Sequence, residues 1–279
     1  MRDRECRKKS HRENRTMETD KLAEKTVVSM TSFPGAIHYA STALRSLLEG
    51  NVKPCRVVLY VTMSQFGTQG LPDEITNLTK EYDNFEVRDY GTDIRSYRKL
   101  IPALKDFPDH IIVTVDDDVR YHPDMLKKLL EMHKKYPEDV IAHRAKKILP
   151  ERPYRKWPKY RWYHFLPGRD KSSFANIQTG VGGVLYPPHS LNEDMIDSDL
   201  YTRIAPTADD LWFWAASVAN GRRIIPVPFG QNKPRGLGKP KELSLKTINF
   251  KTGRDRNTEA LKAILNQYPD LRNRILNER

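Results

Sequence analysis

The amino-acid sequence predicts an α/β fold in which a mostly parallel sheet is flanked by helices. From Lys25 to His133, short apolar runs alternate with segments whose apolar residues recur at helical spacing. One run, Ile111 to Val115, contains only Ile, Val and Thr, which is typical of a strand buried in a parallel sheet. This alternation favours successive right-handed crossovers and hence a doubly wound sheet.

The predicted elements of this first half follow in order. Residues 1–24 are charged and lack apolar periodicity, so they predict a disordered basic arm. Strands are expected over residues 25–30, 55–62, 84–90 and 110–115. Helices are expected over residues 37–48, 72–82, 97–105 and 123–133, the third with Pro102 in its first turn or at a kink.

Beyond residue 140 the periodicity weakens. A glycine-punctuated turn over residues 180–183 precedes a short strand. Residues 207–220 predict a strong helix that Gly221 ends, and residues 224–229 predict a last strand. Residues 258–268 predict a terminal helix with Leu261, Ile264 and Leu265 on its inner face.

Composition narrows the classes of protein. The chain has 279 residues, 38% of them hydrophobic and 30% charged, and no apolar run long enough to span a bilayer. The basic N-terminus lacks the apolar segment of a secretory signal. Only Cys6 and Cys55 are present, so a reducing cytoplasm is expected. There is no zinc pattern, no P-loop and no serine nucleophile elbow.

The charge of the chain points to an anionic partner. The net charge is +12 and the isoelectric point is near 9.5. A nucleotide diphosphate, a phospholipid surface and nucleic acid all fit this charge, which does not choose among them.

Three consecutive carboxylates, Asp116, Asp117 and Asp118, follow the most apolar strand. Like charges at this range disfavour one another's ionised forms. A divalent cation removes that cost, and hard oxygen ligands suit Mg²⁺ or Mn²⁺. Because side chains alternate along a strand, Asp116 and Asp118 can share one face while Asp117 points away from it. A turn before Pro123 is the simpler alternative for these acids.

At these residues the sequence resembles glycosyltransferases of the GT-A fold, and among them bacterial enzymes that build capsule or lipopolysaccharide sugars. In that family a strand ends in an Asp-X-Asp motif. The resemblance covers residues 25–230 and rests on five segments in the expected order: residues 28–34 (VSMTSFP), 96–102 (SYRKLIP), 113–118 (VTVDDD), 179–183 (TGVGG) and 208–212 (ADDLW).

The resemblance assigns roles to the three acids. Asp118 would coordinate Mn²⁺ or Mg²⁺ bridging the two phosphates of a nucleotide sugar. Asp116 would contact the ribose or a metal-bound water, or share the metal. Asp117 belongs to the same donor-binding set.

Three further residues would contact the donor by the same resemblance. Thr31 and Ser32, at the end of the first strand, would touch the nucleoside. Lys99 would approach a phosphate or the uracil edge, and an ordinary solvated lysine is an equal alternative.

Asp209 and Asp210 have two interpretations. Thr207 to Asp210 matches a capping box with Thr207 as N-cap, and acids in a first turn also complement the helix dipole. In similar inverting enzymes an acid at this place deprotonates the acceptor hydroxyl. We take Asp210 as the catalytic base and Asp209 as the second choice.

Several other features are open. Gly180, Gly182 and Gly183 would let the backbone approach the donor sugar or acceptor, or only form a tight turn. Trp214 is expected in the core, whereas Trp212 could stack on a sugar.

Two basic segments have more than one interpretation. The stretch from 144 to 171 could hold a phosphorylated or lipid-linked acceptor, lie on anionic lipid, bind single-stranded nucleic acid or be a solvated loop. The loop carrying Lys233, Arg235 and Lys239 could close over the diphosphate or be mobile surface.

The resulting hypothesis is a metal-dependent, inverting transferase that uses a UDP-sugar and a glycan or lipid-linked saccharide acceptor in surface polysaccharide synthesis. Residues 25–255 would form its domain, with a nucleotide-sugar half (25–140) and an acceptor half (141–255), and residues 256–279 a helical extension. It would be cytoplasmic, with peripheral contact to an anionic membrane as an option. One alternative is phosphoryl transfer on nucleic acid, although the sequence shows no further acids near the first three to complete a two-metal site. The other alternative is a non-catalytic scaffold that binds a nucleotide sugar.

Overall fold

The structure, a computed structural model, describes residues 17–160, 172–230, 233–240 and 253–278, together with residues 242, 247 and 249. Most of the expected basic arm, and the aromatic residues Trp162, Tyr163 and Phe165, lie outside the described residues. Residues 17–23 are helical, so the predicted disorder up to residue 24 is wrong for this part. Ala23 is buried in the apolar core, and the carbonyl of Leu22 accepts a hydrogen bond from Thr26 Oγ1 at 2.7 Å.

Within the described residues, seven strands form one mixed sheet flanked by helices, which confirms the predicted fold class. The strand order is β10 (Ile224–Pro226), β6 (Val140–Ala142), β9 (Val184–Tyr186), β4 (Ile111–Val115), β1 (Thr26–Thr31), β2 (Arg56–Val61) and β3 (Phe85–Asp89). The pairs β1–β2, β1–β4 and β2–β3 are parallel. Strand β9 is antiparallel to both β4 and β6, and β10 is parallel to β6. Strands from both halves of the chain therefore lie in a single sheet.

The first half follows the predicted alternation closely. Its strands are β1 (Thr26–Thr31), β2 (Arg56–Val61), β3 (Phe85–Asp89), β4 (Ile111–Val115) and the short β5 (Val119–Arg120). Its helices are α1 (Ile37–Leu48), α2 (Asp73–Glu81), α3 (Ile101–Asp106) and α4 (Met125–His133), with 3-10 turns at Met63–Gln69 and Arg95–Lys99. Pro102 sits in the first turn of α3, where its missing N–H costs no helical hydrogen bond.

The second half contains more short elements than the sequence indicated. Its strands are β6 (Val140–Ala142), β7 (Ala145–Lys147), β8 (Asn176–Gln178), β9 (Val184–Tyr186), β10 (Ile224–Pro226) and β11 (Arg235–Gly236). Its helices are α5 (Glu193–Asp197), α6 (Leu200–Ile204), α7 (Asp209–Ala219), α8 (Arg256–Gln267) and α9 (Asp270–Leu276), with a 3-10 turn at Tyr154–Lys156.

The core lies on both faces of the sheet, because alternate residues of each strand point to opposite sides. One apolar cluster contains Val113 and Val115 and is covered by α1, α2 and α4. The other contains Ile112 and is covered by α3, α7, α8 and α9. Among the helices that the structure describes, none has the length and apolar character needed to cross a membrane.

The last two helices support α7 directly. The rings of Trp212 and Tyr268 meet edge to face with centroids 6.1 Å apart. The guanidinium of Arg274 donates to the carbonyl of Val218 near the end of α7. Residues 256–276 therefore complete the core around α7.

Candidate active site

The eight residues that the resemblance gave a donor-binding, metal-binding or catalytic role line one cavity at the carboxyl ends of β1 and β4. The cavity has a volume of about 1150 Å³. The predicted residues in its wall are Thr31, Ser32, Lys99, Asp116, Asp117, Asp118, Asp209 and Asp210. The carboxyl edge of a parallel sheet is where ligands bind in this fold class.

The three acids after β4 have different surroundings. Asp117 is buried, with 7% of its surface exposed. It accepts hydrogen bonds from Ser32 Oγ at 2.7 Å and from Lys239 Nζ at 2.9 Å. Burial raises the pKa of Asp117, and Lys239 and Ser32 oppose this rise. Asp116 and Asp118 are more exposed, with 24% and 31% of their side-chain surfaces accessible. Asp117 and Asp118 both contact Lys239 Nζ, whereas Asp116 contacts Lys99, so the placement of Asp116 and Asp118 on one shared face stays a prediction.

Lys239 is held against these acids by a short backbone strap, residues 235–239. Arg235 and Gly236 pair antiparallel with β5. The amide of Leu237 donates to the carbonyl of Asp118 at 2.9 Å. Lys239 Nζ then lies 3.0 Å from Asp118 Oδ2, in addition to its contact with Asp117. The predicted basic loop thus brings one cation to the acids.

Arg98 organises the turn after β1, a role that sequence analysis did not find. Its side chain is buried, and its Nε donates to Thr31 Oγ1 at 2.8 Å. Its Nη2 donates to the carbonyl of Ser32 at 2.8 Å, and its Nη1 to Thr62 Oγ1. Thr31 Oγ1 in turn donates to the carbonyl of Tyr60 at 2.9 Å. These bonds hold Thr31 and Ser32, the residues predicted to contact the nucleoside, in a fixed position.

Lys99 joins the two groups of acids. It is buried, and its Nζ lies 2.9 Å from Asp209 Oδ2 and 3.4 Å from Asp116 Oδ1. Burial alone lowers the pKa of Lys99, but Asp209, Asp116 and Asp210 together raise it well above its usual value. Lys99 is therefore a buried ammonium paired with carboxylates, which is not the solvated lysine of the simpler interpretation. Its contact with a donor phosphate stays a prediction.

Asp210 differs from its neighbour Asp209 in its partners. Asp209 is buried and engaged with Lys99. Among the described residues, the Oδ2 atom of Asp210 accepts a single long bond of 3.3 Å, from the amide of Gly180. Burial, followed by the charge of Asp209, raises the pKa of Asp210 to about 7. A carboxylate with a pKa near neutral is suited to accept a proton from a hydroxyl.

The glycines of the turn after β8 serve two purposes. A Cβ at Gly180 would lie 2.8 Å from Asp116 Oδ1 and 2.9 Å from Lys99 Nζ, so this glycine leaves room for the acids and the lysine. Gly182 and Gly183 have φ angles of +102° and +100° and abut Phe229 and Met125 instead. Of the three glycines, Gly180 is the one in contact with site residues.

Two local predictions about α7 are wrong. Its N-cap is Ala208, with no side-chain capping bond, so the capping box at Thr207 does not form. Trp212 does not face the cavity but is buried, and its Nε1 donates to the carbonyl of Met195 at 3.2 Å. Both indoles are buried in the same apolar cluster of the core. Trp214 is buried as expected.

The acids fit a divalent cation of the kind that a nucleotide sugar brings with it. In the part of the chain that the structure describes, no three His, Cys, Asp or Glu side chains are grouped to hold a metal on their own. Mg²⁺ usually binds through one or two carboxylates, with substrate phosphates and waters completing the shell. Asp116 and Asp118 can supply the carboxylate oxygens, because both line the cavity.

A family model described as glycosyl transferase family 2 matches residues 39–186, more than half of the chain. The chain belongs to glycosyl transferase family 2. The match ends inside the second half and includes β4, the three acids and Gly180. The chain therefore has the fold of the family that its sequence motifs indicated.

Three solved structures, of two different proteins, have a similar arrangement. The mannosyltransferase PcManGT from Pyrobaculum calidifontis, in complex with GDP-Man and Mn²⁺, is 14% identical with a TM-score of 0.46, over 73% of this chain and 55% of that chain. S. aureus TarS 1-349 is 14% identical with a TM-score of 0.48, over 88% and 72%. TarS 1-349 in complex with UDP is 16% identical with a TM-score of 0.46, over 72% and 57%.

The glycosyltransferase thus spans about half the length of the PcManGT chain that it matches. A search of curated proteins returned no match to the sequence. At these identities and TM-scores, the solved structures bear on neither the donor nor the acceptor of this chain.

Proposed function

We propose that this glycosyltransferase is metal-dependent and moves a sugar from a UDP-sugar to a glycan or lipid-linked acceptor, with inversion at the anomeric carbon. Surface polysaccharide synthesis at the cytoplasmic side of the membrane is the proposed setting. Residues 25–255 form the proposed transferase domain, with its nucleotide-sugar half over 25–140. The observation that supports this proposal best is the meeting of Asp116, Asp118 and Asp210 in one cavity.

The donor half of the reaction depends on the turn after β1 and the acids after β4. Thr31 and Ser32, positioned by Arg98, line the place proposed for the nucleoside. Asp118, with Asp116, would hold Mn²⁺ or Mg²⁺. When bound, such a cation offsets the negative charge that develops on the leaving diphosphate. Lys99 and Lys239 add two ammonium groups to the same side of the cavity.

The acceptor half depends on Asp210. Its carboxylate accepts the proton of the acceptor hydroxyl while the hydroxyl oxygen forms a bond to the anomeric carbon. The bond from that carbon to the diphosphate oxygen breaks, and its electron pair leaves with the diphosphate. A single displacement of this kind inverts the configuration. Lys99 keeps Asp209 beside this base, and the charge of Asp209 helps to raise the pKa of Asp210.

The test is nucleotide-sugar hydrolysis and transfer by the wild type and Asp118→Ala, each with and without EDTA. A thermal-shift screen of nucleotide sugars with Mn²⁺ selects the donor first, since a ligand that binds only the native state raises its stability. We expect EDTA and Asp118→Ala each to abolish turnover. Full activity in EDTA would contradict the metal role. Tight UDP binding without turnover on a panel of donors and acceptors would favour a binding scaffold instead.

A further inference from the structure

A group of cations on β7 and the segments after it forms part of the cavity wall. Lys146 lies on β7 and forms an antiparallel bridge with Lys159. Flanking bonds join Lys147 N to the carbonyl of Pro158 and Tyr160 N to the carbonyl of Ala145, at 2.9 and 3.2 Å. We call the cations of this wall the basic wall: Arg144, Lys146, Arg155, Lys159 and Arg256.

The two inner cations of the basic wall have little compensation. Within the described residues, neither Arg144 nor Lys146 forms an ion pair with a carboxylate. Elsewhere in the wall, Arg155 Nε lies 4.0 Å from Asp255 Oδ2. Lys146 has only 6% of its surface exposed, although burying a charge without a counter-ion is costly. An anion entering the cavity would remove that cost.

Lys146 is also held in place before any ligand arrives. Its Nζ donates to the carbonyl of Tyr154 at 3.2 Å and lies 3.5 Å from the centroid of the Tyr154 ring. Burial, and then the charges of Lys159 and Arg144, lower the pKa of Lys146 to about 8. A cation fixed in this way loses little side-chain entropy when it binds an anion.

The position of the basic wall relates it to the acceptor. Ala145 on β7 pairs with Gln178 on β8, and Gln178 Nε2 donates to the backbone carbonyl of Asp210 at 3.1 Å, so β7 lies beside the proposed base. The acids that would hold the donor stand after β4, whereas the basic wall stands on β7 and the segments that follow it. A molecule whose hydroxyl reaches Asp210 therefore extends past Lys146 and Arg144.

We propose that the acceptor carries a phosphate or carboxylate close to its reacting hydroxyl, and that Arg144 and Lys146 bind this anion. This inference rests on the proposed function, because it takes Asp210 as the acceptor base. It narrows the acceptor to an anionic sugar or polyol. A neutral glycan would leave Arg144 and Lys146 without a carboxylate or phosphate partner among the described residues.

The test compares three probes that share one polyol frame: glycerol 3-phosphate, glycerate and glycerol. Binding to the full chain is measured by isothermal titration calorimetry at low ionic strength, with saturating UDP and Mn²⁺ to fill the donor side. We expect at least one anionic probe to bind tenfold more tightly than glycerol. The preferred probe identifies the phosphate or the carboxylate as the anion.

Variants locate the bound probe. Arg144→Gln should weaken the preferred anionic probe about tenfold, as expected for a lost charge-assisted hydrogen bond. Lys159→Gln, an exposed position, tests the same wall if Arg144→Gln does not fold. The matched controls are Arg203→Gln and Lys127→Gln, exposed cations outside the cavity, which should bind as the wild type does.

The outcomes separate this inference from the proposed function. Equal binding of all three probes, or equal losses in Arg144→Gln and Arg203→Gln, overturns the anionic acceptor. If nucleotide-sugar hydrolysis is present in that case, the proposed function stands alone. An anion site that depends on Arg144, in a protein that binds no nucleotide sugar, supports the basic wall and overturns the proposed function.

Discussion

Lys99 Nζ lies 2.9 Å from Asp209 Oδ2, with both side chains almost wholly buried. This contact ties the 3-10 turn before α3 to the first turn of α7. The same ammonium lies 3.4 Å from Asp116 Oδ1. One lysine therefore sets the separation between the proposed donor acids and the proposed base.

Removal of the Lys99 charge should destabilise the fold. Lys99→Met leaves Asp209 buried without its counter-ion, and breaking a buried pair in this way costs about 3 to 5 kcal/mol. The free energy of unfolding is measured by urea denaturation. The control is Lys105→Met, whose pair with Asp197 is exposed and should contribute less than about 1 kcal/mol. The double variant Lys99→Met/Asp209→Asn should lose less than the sum of the single losses, and strict additivity would contradict the coupling.

Transfer should depend on pH through Asp210. The base acts only when ionised, and its pKa is about 7, so kcat/KM should rise as pH increases through 7 and fall about tenfold per unit below it. Asp210→Asn should lower kcat/KM by about 10²- to 10⁴-fold and remove this rise. The measurement is the pH profile of transfer from pH 5.5 to 8.5. A flat wild-type profile across this range would count against Asp210 as base.

The same carboxyl should also affect stability, a property that needs no substrate. The native pKa of about 7 exceeds the unfolded value of about 3.9, so between these pH values the native state binds more protons. The free energy of unfolding therefore decreases as pH rises across this window. Asp210→Asn removes that decrease, so the variant should gain more stability relative to the wild type at pH 8 than at pH 5. Equal effects at both pH values would refute the raised pKa.

Lys239 should compete with a metal ion for the acids after β4. Its ammonium lies 2.9 Å from Asp117 Oδ1 and 3.0 Å from Asp118 Oδ2. Lys239→Met leaves both carboxylates without this cation, so Mn²⁺ should bind the free protein at least roughly tenfold more tightly, or about 1.4 kcal/mol. Calorimetric titration with Mn²⁺ measures the change. Lys233→Met, an exposed lysine of the same loop, is the control, and unchanged or weaker Mn²⁺ binding in Lys239→Met would refute the competition.

Gly180 should tolerate no side chain without a change in the site. The Cβ of Gly180→Ala would displace Asp116 or Lys99, which it would approach to 2.8 and 2.9 Å. Donor affinity should fall while the thermal midpoint changes little, because the displaced atoms are the ends of side chains. Gly91→Ala is the matched control, since its Cβ would meet nothing within 4 Å. Equal donor affinity in both variants would show that the close approach has no role.

The parallel half of the sheet was predictable because each strand carries its own apolar signal. β1, β2 and β4 are five- or six-residue segments that each contain at least two Val residues together with other apolar residues, and their burial follows from this composition. The antiparallel entry of β9 between β4 and β6 was not predictable. Its three residues show no periodicity, and its pairing joins Ile112 to Tyr186 across a long stretch of chain.

The site residues also fall into those that the sequence could predict and those that it could not. The acids after β4 could be found because three carboxylates after a buried strand have few structural explanations. The partnership of Lys99 with Asp209 has no local signal, since only the fold brings these residues together. Arg98 was missed because a buried arginine looks like any surface arginine in a sequence. The only sequence feature that could have drawn attention to Arg98 is its place immediately before the candidate site residue Lys99.

The packing of α8 and α9 against α7 has a consequence for the order of synthesis. Asp209 and Asp210 leave the ribosome well before Tyr268 and Arg274, the residues that contact Trp212 and Val218. Domains fold as units while translation adds about 5 to 20 residues each second. Helix α7, which carries both acids, therefore gains the support of α8 and α9 only after residues 256–276 have been synthesised, some seconds later.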